Sequence, residues 1–400
     1  MRDGQSGGRG VGELRLYLNA SFEPKIVTET VERCRDRIDR GGDSQASIVI
    51  HHHYTLALLF LGRYSEAHAA QQYLSAMAAR IGNPPAAAYA LTSGIWLSSL
   101  FIPGAAETFE ATAAQAITAA ARVDDPYLQY ALRFFIGWDQ AERGRAAKAA
   151  NTADELLAVG RRINDTRSIA WGMALKAIVA IQGGDFRRAL EFAENGILMA
   201  RTRSDVLFNR LFKIWALAAL KRPESLEVAR QFRDECEANG WRHFHDLSEG
   251  PWGTALMIHG DFGAGMRWLE RSISRLQEYR MVGLANVLRT ALAEIYLRII
   301  LKTERAPVWV VVRNFPALLR AGIVAESRVE ALVKDVRAQP HVDREGVVYG
   351  RCEMILGLLC KAKKRRLEAV SHLTEAKRLF AQLGQTPELN RIEQALRELR

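Results

Sequence analysis

The stretch Gly184-Asp185-Phe186-Arg187-Arg188-Ala189 decides the fold, because versions of it recur along the chain. Gly62-Arg63-Tyr64-Ser65-Glu66-Ala67, Gly144-Arg145-Ala146-Ala147-Lys148-Ala149 and Gly260-Asp261-Phe262-Gly263-Ala264-Gly265 share its frame. Each pairs a glycine with a small residue five positions on. Weaker copies fall in phase at Pro103-Gly104, Lys221 to Leu226 and Lys302, and a late one runs from Lys364 to Ala369. Turn positions 62, 104, 144, 184, 221, 260 and 302 are separated by 42, 40, 40, 37, 39 and 42 residues. A period of this length marks a stack of supersecondary units, each touching only its neighbours.

Around Gly184 the local grammar is that of a helical hairpin. Ser168 is read as the cap of a helix through Ile169, Trp171, Met173, Ala174, Ile178 and Ile181. Gly183-Gly184 ends it in the left-handed conformation that a helix C-terminus favours, and Asp185 caps the next helix. Ala189, Leu190, Ala193, Ile197 and Leu198 then recur at helical spacing, with Ala189 small because the two helices approach closely there. The same pattern runs through 45–81, 86–122, 126–163, 206–239, 250–280 and 284–301. Strand signals are few: Val308-Trp309-Val310-Val311-Val312 is β-like by propensity, but Ala306-Pro307 suits a helix start. Pro316 is expected to bend or interrupt the path.

The expected architecture is therefore all-α: a right-handed superhelical solenoid of helical hairpins with a period of about 40 residues. Residues 1–13 are a flexible N-terminus and 14–302 the solenoid. Residues 303–345 hold an irregular or extra helical segment, because the step from Lys302 to Lys364 exceeds one period. Residues 346–400 form a terminal hairpin and capping helix.

Composition narrows the functional classes. The chain is 48% hydrophobic, 25% charged and carries a net charge of +10, which suits a soluble protein with a long core. A charge this diffuse is weak support for an acidic partner and disfavours nucleic acid. Cys34, Cys236, Cys352 and Cys360 stand apart from one another, with no zinc spacing, which fits buried thiols in a reducing cytoplasm. No P-loop follows the glycines of 4–12. The uncharged run from Ile81 to Ala106 is long enough to span a bilayer, but it contains Asn83-Pro84-Pro85 and several hydroxyl residues. It also falls where the repeat places a core helix, so no membrane span is expected.

Candidate chemistry is sparse. His51-His52-His53 cannot converge on one metal, since adjacent helical residues point about 100° apart, and they are read as surface or corner histidines. Trp241-Arg242-His243-Phe244-His245, with Asp246 and Glu249, is the densest polar-aromatic cluster; His243 and His245 are candidate ligand contacts. Arg210, Lys213 and Trp215 on one first helix, and Trp252 on another, are candidate groove contacts: cations beside an aromatic suit an acidic or peptide-like partner. Lys361-Ala362-Lys363-Lys364-Arg365-Arg366 complements a helix C-terminus. Gly62, Ala67, Gly144, Ala149, Gly184, Ala189, Gly260, Gly265 and Ala369 are structural turn residues. No catalytic, metal or cofactor-binding residue is identified.

The turn of glycine, aromatic and alanine resembles the tetratricopeptide family. The last hundred residues resemble the tail of multidomain class III adenylate cyclases of bacterial signalling. The likeness lies in Ala293-Glu294-Ile295-Tyr296-Leu297, Val311-Val312-Arg313-Asn314, Pro316-Ala317-Leu318-Leu319-Arg320 and the run 356–366, continued by Glu368-Ala369, 373–376 and 379–384. That family usually has glycine where this chain has Lys364. The resemblance implies a non-catalytic protein-interaction or sensor module in bacterial signal transduction, without cofactor. It would bind a protein or peptide along its concave face, with room for a small-molecule effector. The alternatives are a fragment of an adenylate or guanylate cyclase lacking its catalytic domain, and the tail of an ATPase-linked transcriptional regulator.

Overall fold

The computed structural model describes residues 22–101, 105–142, 145–278, 282–301, 308–339, 342–384 and 386–399. The expectations for the N-terminus 1–13, Pro103-Gly104, Gly144 and Lys302 lie outside them. Among the described residues there are twenty helices and no strand.

Two short helices, α1 (Pro24–Arg33) and α2 (Arg35–Arg40), precede the hairpins. Paired helices then follow: α3 (Gln45–Phe60) with α4 (Tyr64–Ile81), α5 (Pro84–Phe101) with α6 (Ala105–Ala121), α7 (Pro126–Glu142) with α8 (Ala146–Arg162), and α9 (Thr166–Gln182) with α10 (Phe186–Met199). Helix α11 (Arg203–Ala219) pairs less regularly with α12 (Ser225–Ala238), and the six-residue α13 (Arg242–Leu247) leads into α14 (Glu249–Ile258) and α15 (Phe262–Glu278). The chain continues through α16 (Val282–Leu301), the 30-residue α17 (Val308–Arg337), α18 (Val347–Ala362), α19 (Arg366–Gln382) and α20 (Thr386–Arg397).

The recurrent turn has one geometry. The residue after the left-handed position donates its N–H to the carbonyl five residues back, at 2.9 Å in each of Arg63 to Leu58, Asp185 to Ala180, Arg222 to Leu217, Asp261 to Leu256 and Arg365 to Cys360. Glycine supplies that conformation at Gly62, Gly184 and Gly260; Lys221 and Lys364 adopt it at φ 55° and 60° despite their side chains. The small residue that follows lies where two helices meet: Ala67, Ala149, Ala189 and Ala369 are fully buried. At Gly265 a Cβ would come within 2.5 Å of the Gly253 carbonyl, so the backbones of α14 and α15 themselves touch.

Local details depart from the sequence reading. The cap of α9 is Asp165, whose carboxylate accepts the Ser168 N–H at 3.0 Å, so Ser168 is the capped residue. Residues 308–337 are one continuous helix that contains Pro316, so of the two expected effects the path is not interrupted there. The uncharged run is a core helix: Ala86, Tyr89, Ile95, Trp96 and Leu97 on α5 are buried.

The superhelix closes on itself. Phe60 at the end of α3 stacks on Phe244 of α13, centroids 5.3 Å apart and planes at 9°, and Phe208 of α11 meets Phe244 edge-on at 4.8 Å. Trp96, Phe135, Phe134, Trp138 and Trp171 continue this aromatic layer along the first helices. The second half winds back over the first: Arg351 donates to the Gln182 carbonyl at 3.2 Å, and Arg145 lies 3.7 Å from Asp343.

Candidate interaction surface

The sequence-nominated groove cations are already partnered. Arg210 of α11 donates to Glu235 of α12 and lies over the Phe232 ring at 5.7 Å. Lys213 reaches Glu194 of α10 at 2.8 Å. Both therefore point at outer helices. Trp215 and Trp252 are half-buried and pack on the core. The inner side of α3 to α13 is filled by aromatic rings, and the cavity between Phe22, His53, Phe60, Trp96, Tyr127, Arg167 and Trp171 holds about 10 Å³, room for about one water.

Of the three consecutive histidines only His51 is half-buried; the other two are not at the surface or a corner. His52 and His53 are fully buried. His52 Nδ1 lies 2.6 Å from Ser93 Oγ and its Nε2 lies 2.9 Å from Tyr127 Oη. Burial pushes His52 well below the ordinary imidazole range and His53 down to about 4. They are core residues because each ring satisfies its polar atoms within the fold. Below them, the buried Arg167 pairs with Asp205 at 2.9 Å, and Asp205 also accepts from the Trp171 indole at 2.7 Å.

The 241–249 cluster splits in two. His243 is buried beside the Tyr64 hydroxyl at 3.3 Å, and burial holds it at about 4. His245, Asp246 and Glu249 do converge, with potential ligand atoms within 4.8 Å of one another. Arg275 of α15 bridges them, its Nη1 lying 2.6 Å from Asp246 and 2.5 Å from Glu249. The guanidinium thus supplies the positive charge that a metal would bring. Arg233 donates to Ser248 at 3.0 Å and stacks over Trp268 at 4.7 Å, with the Trp252 ring 5.9 Å away. Burial pushes the Cys236 and Cys352 thiols up to about 12, which removes them as nucleophiles near neutral pH.

What sequence reading missed lies on α17. Fourteen large apolar side chains are exposed among the described residues, and seven fall between 308 and 323. Val308, Trp309, Val311, Val312, Phe315, Leu319 and Ile323 are between 38% and 79% exposed. The series 308, 312, 315, 319, 323 keeps one helix face, whereas Asn314, Ala321 and Ala325 on the other face are buried. Asn314 anchors the helix: its Nδ2 donates to the Gly260 carbonyl at 2.8 Å and its Oδ1 accepts the Gly263 N–H at 3.1 Å. Helix α17 is also the one described helix long and apolar enough to cross a membrane, with mean hydropathy 1.4 and 17% of that stretch buried. The sequence carried the signal, a 4-3-4-4 apolar series. It was obscured because Val308 to Val312 has the composition of a strand.

No family profile matches the chain, and no curated protein sequence matches it. Among solved structures, a Rap protein complexed with competence and sporulation factor aligns over 89% of this chain and 100% of that one, at 12% identity and a TM-score of 0.53. The fold is a tetratricopeptide-like helical-repeat solenoid. A human IFIT1 dimer with m7Gppp-AAAA aligns over 84% of this chain and 72% of that one, at 15% identity and a TM-score of 0.40.

Proposed function

We propose that this chain is a non-catalytic protein-interaction module of the cytoplasm, and that it engages a protein or peptide partner through the exposed face of α17. The observation that carries this reading is the concentration of exposed apolar side chains on one face of α17. Monomers seldom leave a contiguous apolar patch beyond about 300–600 Å² uncovered, and larger ones mark interaction sites. The solenoid fold supports it, since stacked repeats present long surfaces rather than enclosed active sites. A place in bacterial signal transduction, as in the tails of multidomain adenylate cyclases, is part of the proposal and rests on the likeness of residues 293–384. Arg210 and Lys213 are paired with Glu235 and Glu194, so the α17 face and not that groove is the surface proposed.

The test is affinity co-purification with the tagged chain and with Leu319→Glu/Ile323→Glu. Both side chains are exposed, so the variant should keep its helical circular dichroism and its melting temperature. Partner recovery should fall about tenfold or more, the cost of burying two carboxylates in an apolar interface. An unchanged set of partners from a folded variant would remove this face as the docking surface.

A further inference from the structure

This inference rests on the reading of the 308–323 face as a docking surface, and adds what docks there. We infer that the occupant is an amphipathic α-helix of a partner protein with an acidic edge.

The shape favours a helix. The 308, 312, 315, 319, 323 series forms a ridge about 23 Å long at 1.5 Å per residue. A ridge of this spacing is what the groove of a facing helix accepts. Pro316 is exposed within it, and the space a Gly322 side chain would fill is open, with nothing within 4 Å, so a second backbone can approach closely. An extended peptide would bring unpaired backbone groups that need a strand edge, and no strand exists among the described residues.

Charge selects the edge. Residues 308–325 contain no acid and two cations, Arg313 and Arg320. Seven residues apart, they line the same side of the stripe. Arg313 lies 3.1 Å from Asp261, while Arg320 is exposed and has no ion pair among the described residues. A facing helix with Asp or Glu along that side gains Arg320 and shares Arg313 with Asp261, and the excess of +10 on the whole chain steers it in. An antiparallel second copy is disfavoured, because its two-fold axis sets the same edge of both helices together and opposes arginine to arginine. A lipid surface would call for cations fanning from both sides of the apolar face; here the opposite side carries Val311 and Gly322.

The experiment uses two synthetic amphipathic peptides of about five turns with the same leucine stripe. One carries glutamates along one edge, the other lysines at those positions. Fluorescence anisotropy against the full chain should show the glutamate peptide binding about tenfold tighter or more. Arg320→Gln should weaken that preference and Arg320→Glu should weaken it further or reverse it. Neither change removes a described contact, so folding is spared. Equal affinity for the two peptides, abolished by Leu319→Glu, would overturn the acidic edge and leave the docking surface standing. No binding of either peptide would overturn the helical partner. Concentration-dependent dimerisation abolished by Leu319→Glu would overturn it in favour of a second copy. Flotation on phosphatidylserine vesicles that Leu319→Glu abolishes would overturn it in favour of lipid.

Discussion

His53 and His243 are held neutral by burial, each at about 4, against an ordinary imidazole value near 6.5. His52 is displaced the same way. Between these values the unfolded chain binds a proton that the folded chain refuses. Their contribution to stability is therefore complete above about pH 6.5 and is lost as pH falls toward 4. For His53 and His243 each shift corresponds to about 3 kcal/mol. Melting temperature should stay level from pH 8 to 7 and fall steeply from 6.5 to 4.5, with His243→Gln showing a shallower fall. A flat profile across that range would mean that these imidazoles are charged or exposed in solution. Sequence alone placed the three histidines at the surface, because helical periodicity says which way a residue points along its own helix. It does not say what stands opposite, and here Tyr89, Tyr127 and Ser93 stand opposite His52.

The hairpin is the element that the sequence spells out. Its turn is legible because the requirement is local: one residue at positive φ, one small residue where helices meet. Gly184 sits at φ 74°, so Gly184→Val should cost roughly 1 kcal/mol or more in chemical denaturation. Lys364 occupies the equivalent place at φ 60°. Lys364→Gly should then be neutral or stabilising by up to about 1 kcal/mol, because the left-handed strain it relieves is offset in part by added unfolded-state freedom. A loss exceeding that of Gly184→Val would show that the late turn differs from the others. Helix α17 is the counterexample. Its five consecutive strand-formers became helical because Asn314 ties α17 to the 260–263 turn and its small residues pack on the hairpin, a tertiary override of propensity.

At the scale of the whole molecule, a solenoid of nearest-neighbour contacts could unfold piecewise. The clasp of Phe60, Phe208 and Phe244 works against that by joining α3 to α13 across about 180 residues. Phe244 is fully buried, so Phe244→Ala should cost about 3–5 kcal/mol. It should also broaden or split the urea transition followed by tryptophan fluorescence, since the clasp no longer couples the ends of that turn. A sharp single transition at the wild-type midpoint would show that the clasp carries no cooperativity.

The sequence by itself determined the fold class and most of the hairpin grammar, because a repeat restates the same local rule until it is unmistakable. It also marked 241–249 as a polar cluster. Only the tertiary structure decided which surfaces remain open. Arg210 and Lys213 found acids on neighbouring helices, Arg275 arrived from 29 residues beyond Asp246 to neutralise it, and aromatic rings filled the inner face of the first turn. The apolar stripe of α17 was left uncovered. A helix of that composition is ordinarily core, and whether it is depends on how far the superhelix has turned when the chain reaches it. That angle is the accumulated sum of small rotations between neighbouring repeats, and no single residue encodes it.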